Sequence, residues 1–244
     1  MSLIDTLPKS AEAMLLTKGQ KRIIERVLNV FETGSAAGDY SNISIFNDGP
    51  HGIRQITYGR SQTTEYGNLR ELVRRYCSAP DAKYREELAP FAPLVGRQSL
   101  TNNAAFKNYL RRAAKEDPIM RDVQDQFFDD VYFQPALMWA NRNGFTLPLS
   151  MLVIYDSFIH SGSILSFLRS RFAEVPPATG GQEKLWVREY VEARHNWLAT
   201  HPRPILRSTG YRTRTFMAEM AKGNWKLAEP IVAHGVKVDD KDLA

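Results

Sequence analysis

Glu32 and Asp48 are the residues of this sequence whose types and placement most directly suggest chemistry. Glu32 closes an apolar helical stretch, and Asp48 follows across a turn-rich segment that reads as a small β-hairpin. A helix-end Glu facing a hairpin-borne Asp can flank a glycosidic bond, one carboxyl donating a proton and the other activating water. The partial negative charge of the helix end and the apolar neighbours of Glu32, Phe31 among them, favour a carboxyl that keeps its proton, as a general acid must. Asp48 lies in Asn47-Asp48-Gly49-Pro50, and Asp39, after Gly38, competes as the second carboxylate. Both are also ordinary turn residues. Thr57, on the returning strand, is placed to help hold a water. In an inverting hydrolase the two carboxyls stand about 6.5–9.5 Å apart with that water between them.

The elements that must position these residues are mostly helical. Ile23, Ile24, Val27, Leu28 and Phe31 recur at helical spacing over residues 19 to 32, and Gly34 stops the helix. Between residues 33 and 60, glycines and Asn-Asp-Gly-Pro punctuate two β-prone runs, 43–46 and 54–58, the only β-structure expected. Helical patterns return at Leu69, Leu72, Val73 and Tyr76, with one short helix expected within 79–98. Further helices are read over 102–115, 118–142, 147–161, 163–173, 181–199 and 209–222. Residues 147–161 are apolar nearly all round, as in a helix packed on every side. Asp156 interrupts that run and needs a partner, because a buried unpaired carboxylate is costly; Arg194 is the leading candidate. His160, one turn on, reads as a hydrogen-bonded structural histidine.

At 244 residues, with 43% hydrophobic and 24% charged residues, the chain fits one large soluble domain or two lobes sharing a cleft. The single cysteine, Cys77, excludes an intramolecular disulfide. The net charge is +5, but the Lys and Arg residues are spread along the chain, which argues against nucleic-acid binding. Met1-Ser2-Leu3-Ile4-Asp5 has no basic segment followed by an apolar run, so no signal peptide is visible, and the apolar run 147–158 is too short to span a bilayer. There is no His-Glu-x-x-His, no zinc spacing of Cys and His, no phosphate-binding glycine loop and no Gly-x-Ser-x-Gly elbow.

Several segments, in order, resemble a known family. They are Leu69-Arg70-Glu71-Leu72-Val73-Arg74-Arg75-Tyr76, Val131-Tyr132-Phe133-Gln134-Pro135-Ala136, Asn143-Gly144-Phe145, the stretch from Ile154 to Gly162, and Glu192-Ala193-Arg194. Together, over about residues 19 to 231, the chain is similar to the chitosanases of glycoside hydrolase family 46, in the lysozyme-like superfamily. The resemblance implies a mainly α, lysozyme-like two-lobed α+β fold with one small hairpin or sheet and a cleft between lobes. It implies a single catalytic domain over 1–244, with a small lobe near 33–76 and a large helical lobe near 77–231. It further implies extracellular, inverting endo-hydrolysis of β-1,4-linked glucosamine polymer, with a polysaccharide as the partner and neither cofactor nor metal. By the same resemblance Glu32 is the general acid, Asp48 the general base and Thr57 the residue positioning the water. Asn68, Tyr132, Tyr40 and Arg54 are expected at the substrate, and Asp156, Arg194 and Arg207 in a supporting ion-pair network.

The chain also departs from the family pattern. Asp48-Gly49-Pro50-His51-Gly52 stands where the family has Asp-Gly-Arg-Gly, and Asn68 stands where better-known members have an acidic residue that contacts the substrate amine. With the positive charge, Asn68 points toward an anionic wall polymer, so a peptidoglycan-cleaving muramidase is the alternative. A non-catalytic glycan- or nucleic-acid-binding protein is the third reading.

Overall fold

The computed structural model describes residues 13–60 and 62–240; the chain start read above for an export signal, Met1 to Asp5, lies outside them. The chain divides into two compact units, one of Arg26–Val131 and one of the residues up to Glu25 with those from Tyr132 onward.

Helix α1, Lys18–Thr33, starts in one unit and ends in the other. Its apolar stripe of Ile23, Ile24, Val27, Leu28 and Phe31 is buried, and Gly34, at φ +75°, ends it in the left-handed conformation that glycine adopts without strain. In the unit Arg26–Val131, strands β1 (Ile43–Phe46), β2 (Gln55–Tyr58) and β3 (Thr63–Thr64) form an antiparallel sheet in the order β1-β2-β3. The register pairs Ile43 with Tyr58 and Phe46 with Gln55. On β2, Ile56 and Tyr58 are fully buried, and the Tyr58 hydroxyl donates to the Leu110 carbonyl at 2.8 Å. The twofold alternation of a strand sends Gln55 and Thr57 to the other face.

Helices α2 (Leu69–Ser78), α3 (Arg85–Leu88), α4 (Ala104–Glu116) and α5 (Pro118–Phe128) complete this unit. Asn103 caps α4 and Asp117 caps α5 through their side chains. The Gln124 side chain of α5 accepts the Arg60 amide at 3.2 Å and donates to the Tyr40 carbonyl at 2.9 Å, so one amide ties both ends of the hairpin to the helix. Gly59 lies so close to Gln124 Oε1 that a Cβ there would collide with it.

The helix expected over 118–142 is not one uniform ladder. A π turn, Asp129–Phe133, separates α5 from α6, Gln134–Arg142. Pro135 has no amide hydrogen to donate, and the ladder changes register just ahead of it. The second unit continues with α7 (Pro148–Ser161), α8 (Ser166–Arg169), α9 (Glu183–Ala199), α10 (Pro204–Arg207) and α11 (Tyr211–Lys222). Every residue of α7 from Pro148 to Ser157 is buried. Its N-terminus has no local side-chain cap; the Glu183 carboxylate accepts the amides of Thr146 and Leu147 at 3.1 and 2.8 Å instead. An aromatic core forms beside it, with Trp186 stacked on Tyr190 at 5.2 Å and edge-on to Phe145 at 4.9 Å.

Two expectations fall. The helix read over 163–173 is only the short α8, where Arg169 Nη1 turns back to the Phe172 carbonyl beyond the helix. The hairpin after α1 is also not the only β-structure. Besides β3, the chain closes with strands β4 (Ile231–Ala233) and β5 (Val236–Val238), joined by His234 at φ +45° and Gly235 at φ +86°. Two positive-φ residues between antiparallel strands make the turn whose twist matches the strands.

Candidate active site

The unit Arg26–Val131 carries Glu32, Asp48, Thr57, Tyr40, Arg54 and Asn68. Glu32 is half-buried in the last turn of α1. The next residue organises the turn that follows: the Thr33 hydroxyl donates to the Asn29 carbonyl at 2.8 Å and accepts the Asp39 amide at 3.2 Å. Asp39, the competing carboxylate, is exposed, and its Oδ1 accepts both the amide and the hydroxyl of Ser41, at 2.8 and 2.7 Å. That carboxylate closes its own turn.

Asp48 is half-buried at the neck of the loop between β1 and β2. The loop folds back on itself: the Gly49 amide donates to the Ile53 carbonyl at 2.9 Å, and the Ile53 amide to the Pro50 carbonyl at 3.1 Å. A Cβ on Gly49 would stand 2.7 Å from the Ile53 oxygen, so this close return needs glycine there. Asp48 Oδ1 accepts a hydrogen bond from Gln55 Nε2 at 2.9 Å, and among the described residues Oδ2 makes none. Gln55 is itself 4% exposed, and its Oε1 accepts the Tyr66 amide at 3.2 Å.

Gln55 is a residue that the motif reading missed, although a polar side chain directly before the apolar Ile56 of a short strand was its signal. Glu65 was missed as well. It is fully buried and receives the backbone amides of Ile56 and Leu100, pinning β2 to the segment before α4.

The remaining candidates of this unit are dispersed in role. Thr57 is 4% exposed, and its hydroxyl donates to Gln62 Oε1 at 2.6 Å. It shares a strand face with Gln55, and its hydroxyl's partner Gln62 lies in the turn between β2 and β3. The Tyr40 hydroxyl donates to Asp125 at 2.9 Å, and Asp125 pairs with Arg60, also at 2.9 Å. Arg54 is exposed on the hairpin loop, with its carbonyl accepting the Ser99 hydroxyl at 3.4 Å. Asn68 is exposed at the start of α2 and makes no side-chain cap there.

Tyr132 lies in the other unit, half-buried in the π turn. That unit also holds the ion-pair network. Asp156 is fully buried; its Oδ2 accepts Arg194 Nη1 at 2.6 Å and its Oδ1 accepts Arg212 Nη1 at 2.7 Å. Ser157 joins them, receiving Arg194 at 3.2 Å and the Tyr190 hydroxyl at 2.8 Å. The partnership of Asp156 with Arg194 is as expected, but the second arginine is Arg212 and not Arg207. Arg207 is exposed, and its guanidinium caps the carbonyls of His201 and Pro202 at 2.6 and 3.0 Å.

Burial opposes ionisation of Asp156, but Arg194 and then Arg212 outweigh it and hold the carboxyl below its ordinary range. Burial, with Arg212 and Arg194 nearby, pushes His160 well below the usual imidazole value, and the neighbouring Asp156 only partly offsets this. Among the described residues no three His, Cys, Asp or Glu side chains gather as metal ligands, and no helix is long and apolar enough to cross a membrane.

Known proteins resemble this chain over most of its length. The family model described as Glycosyl hydrolase family 46 matches residues 26–231. A chitosanase of Bacillus subtilis (strain 168) is 28% identical over 232 residues, covering 88% of this chain and 82% of that protein. Among solved structures, a point-mutant chitosanase from Bacillus subtilis MY002 complexed with six glucosamine units is 25% identical with a TM-score of 0.78, covering 93% of this chain and 98% of the other. The complex of a Gynuella sunshinyii family 46 chitosanase with chitotetraose has a TM-score of 0.79 at 24% identity, covering 92% and 98%.

Proposed function

The chain belongs to glycosyl hydrolase family 46 and has its lysozyme-like fold, and from that premise we propose that it is an endo-acting chitosanase that cleaves β-1,4-glucosamine linkages with inversion. One observation carries the assignment of roles. Glu32 and Asp48 both lie in the family-matched span and in one unit, and Asp48 has one oxygen tethered by a neutral amide and the other without a hydrogen bond. Glu32 protonates the glycosidic oxygen as the bond from the anomeric carbon to that oxygen breaks. A water attacks the anomeric carbon from the opposite face and passes its proton to Asp48. Thr57, on the same strand as Gln55, is proposed to help position that water. Asn68, Tyr132, Tyr40 and Arg54 are the proposed substrate contacts, and the buried Asp156 network keeps its own unit in shape. The proposed substrate is a polymer met outside the cell, as the resemblance to the family implies.

Replacing Glu32 by Gln or Asp48 by Asn should cut turnover of soluble chitosan by about 10²- to 10⁴-fold each, while leaving the fold intact. A Glu32→Gln enzyme that keeps a tenth of the rate removes that residue from the acid's role. Proton NMR of the first anomer released from a glucosamine oligomer tests the stereochemistry, and a retained product overturns inversion. The net charge of +5 favours a second reading, muramidase action on anionic wall polymer. Muropeptides released from purified sacculi, without chitosan turnover, would establish it.

A further inference from the structure

We infer that Gln55 is the positioning residue that sets Asp48 up as a base, an inference that rests on Asp48 being the base of the reaction proposed above. Both polar ends of the Gln55 side chain are committed. Nε2 donates to Asp48 Oδ1 at 2.9 Å, and Oε1 accepts the Tyr66 amide at 3.2 Å. The Tyr66 N–H decides which way the amide faces, because a flipped side chain would set its oxygen against the carboxylate and its NH2 against an N–H. The tether can therefore only donate to Asp48.

Its position is equally constrained. Gln55 is 4% exposed, and it pairs with Phe46 at the neck of the loop that bears Asp48. The aspartate is held by the strand that follows it. Gln55 also has the right chemistry for a base's partner. A neutral donor fixes one carboxylate oxygen and steadies its charge without pairing it with a cation, which would make it a poorer proton acceptor. Oδ2, without a hydrogen bond, is left to take the proton of the attacking water. His51 and Arg54, the basic side chains of the same loop, are both exposed, and neither pairs with Asp48.

The test uses the full chain and soluble chitosan, comparing wild type with Gln55→Met and Gln55→Glu across pH, with thermal unfolding to follow the fold. In Gln55→Met, kcat should fall about tenfold with KM nearly unchanged. The acidic limb of kcat/KM, which reports the base in the free enzyme, should rise by about half to one pH unit, because the charged form has lost its donor. In Gln55→Glu the new carboxyl must share a proton with Asp48, and the limb should rise further, by more than about one unit. A wild-type profile, a loss of kcat with an unmoved limb, or failure of both variants to fold would each overturn the inference and leave Gln55 as a strand-packing residue. Asp48→Asn separates the two levels of argument. If it turns over chitosan like wild type, the base assignment itself falls; if it is inactive while Gln55→Met behaves like wild type, this inference falls alone.

Discussion

Arg212 and Arg207 lie close together in one basic stretch, yet the structure gives them opposite weights, and replacing each by Met measures the difference. Arg212 is 3% exposed and gives Asp156 Oδ1 its charge-assisted bond at 2.7 Å. Its loss strands a buried acceptor, at a cost of about 1.5–3 kcal/mol. The loss is tempered because Arg194 still pairs with Oδ2, and two buried guanidiniums no longer oppose one carboxylate. Asp156→Asn is the harsher change, since it removes the one carboxylate that Arg194 and Arg212 both bond, at about 3–5 kcal/mol. Arg207 only caps two surface carbonyls, so Arg207→Met should stay within about 0.5 kcal/mol. For a chain of this size each kcal/mol moves Tm by about 2–4 °C. Thermal unfolding at neutral pH should therefore show drops of about 6–20 °C for Asp156→Asn, about 3–12 °C for Arg212→Met and under about 2 °C for Arg207→Met. Equal Tm values for the two arginine variants would refute the reasoning, and a larger drop for Arg207→Met would restore the assignment made from the sequence.

His160 offers a pH test. Its folded-state value lies below the ordinary 6.5 through burial and the nearby Arg212 and Arg194, so between that lowered value and about 6.5 the unfolded chain binds the extra proton. Stability is then full above about pH 6.5 and falls as pH drops below it, and His160→Gln should flatten this slope between about pH 7 and 5. Asp156 does not confuse the reading, because its lowered value keeps its contribution intact down to about pH 4, to be lost only as pH falls through the folded value. A slope unchanged in the variant would refute the assignment. Asp39→Ala, which removes the Ser41 contacts, should cost about 1 kcal/mol and leave chitosan turnover within about twofold; a collapse in kcat would transfer the base's role to Asp39.

What the sequence disclosed and withheld follows the range of each interaction. Helix α1 and the first hairpin were readable because their signals are local: an apolar stripe, a stopping glycine, an Asn-Asp-Gly-Pro turn. The Asp156–Arg194 pair was readable because a carboxylate inside an apolar helix demands a cation. Which further arginine answers it depends on how α11 is turned toward α7, and several arginines between Arg203 and Arg214 present the same side chain to a reader of sequence. The strands β4 and β5 have three residues each, too few for alternation to stand out, so only the His-Gly turn could have marked them. Gln55 stayed hidden for another reason. Its importance comes from the company of Asp48 and Tyr66, brought to it by a folded-back loop, and its place before Ile56 marks a polar strand residue without saying what it tethers.

The carboxylate that finishes the N-terminus of α7 has a consequence for how the polypeptide is made. Glu183 arrives long after Thr146 and Leu147 have left the ribosome, so the most apolar helix of the chain emerges with its leading amides unanswered. A nascent chain halted before Glu183 would expose a greasy, frayed segment, and chaperones would have most to guard during that interval. Glu183→Ala should therefore be felt first as lost yield of soluble protein during synthesis, before any change in the finished enzyme.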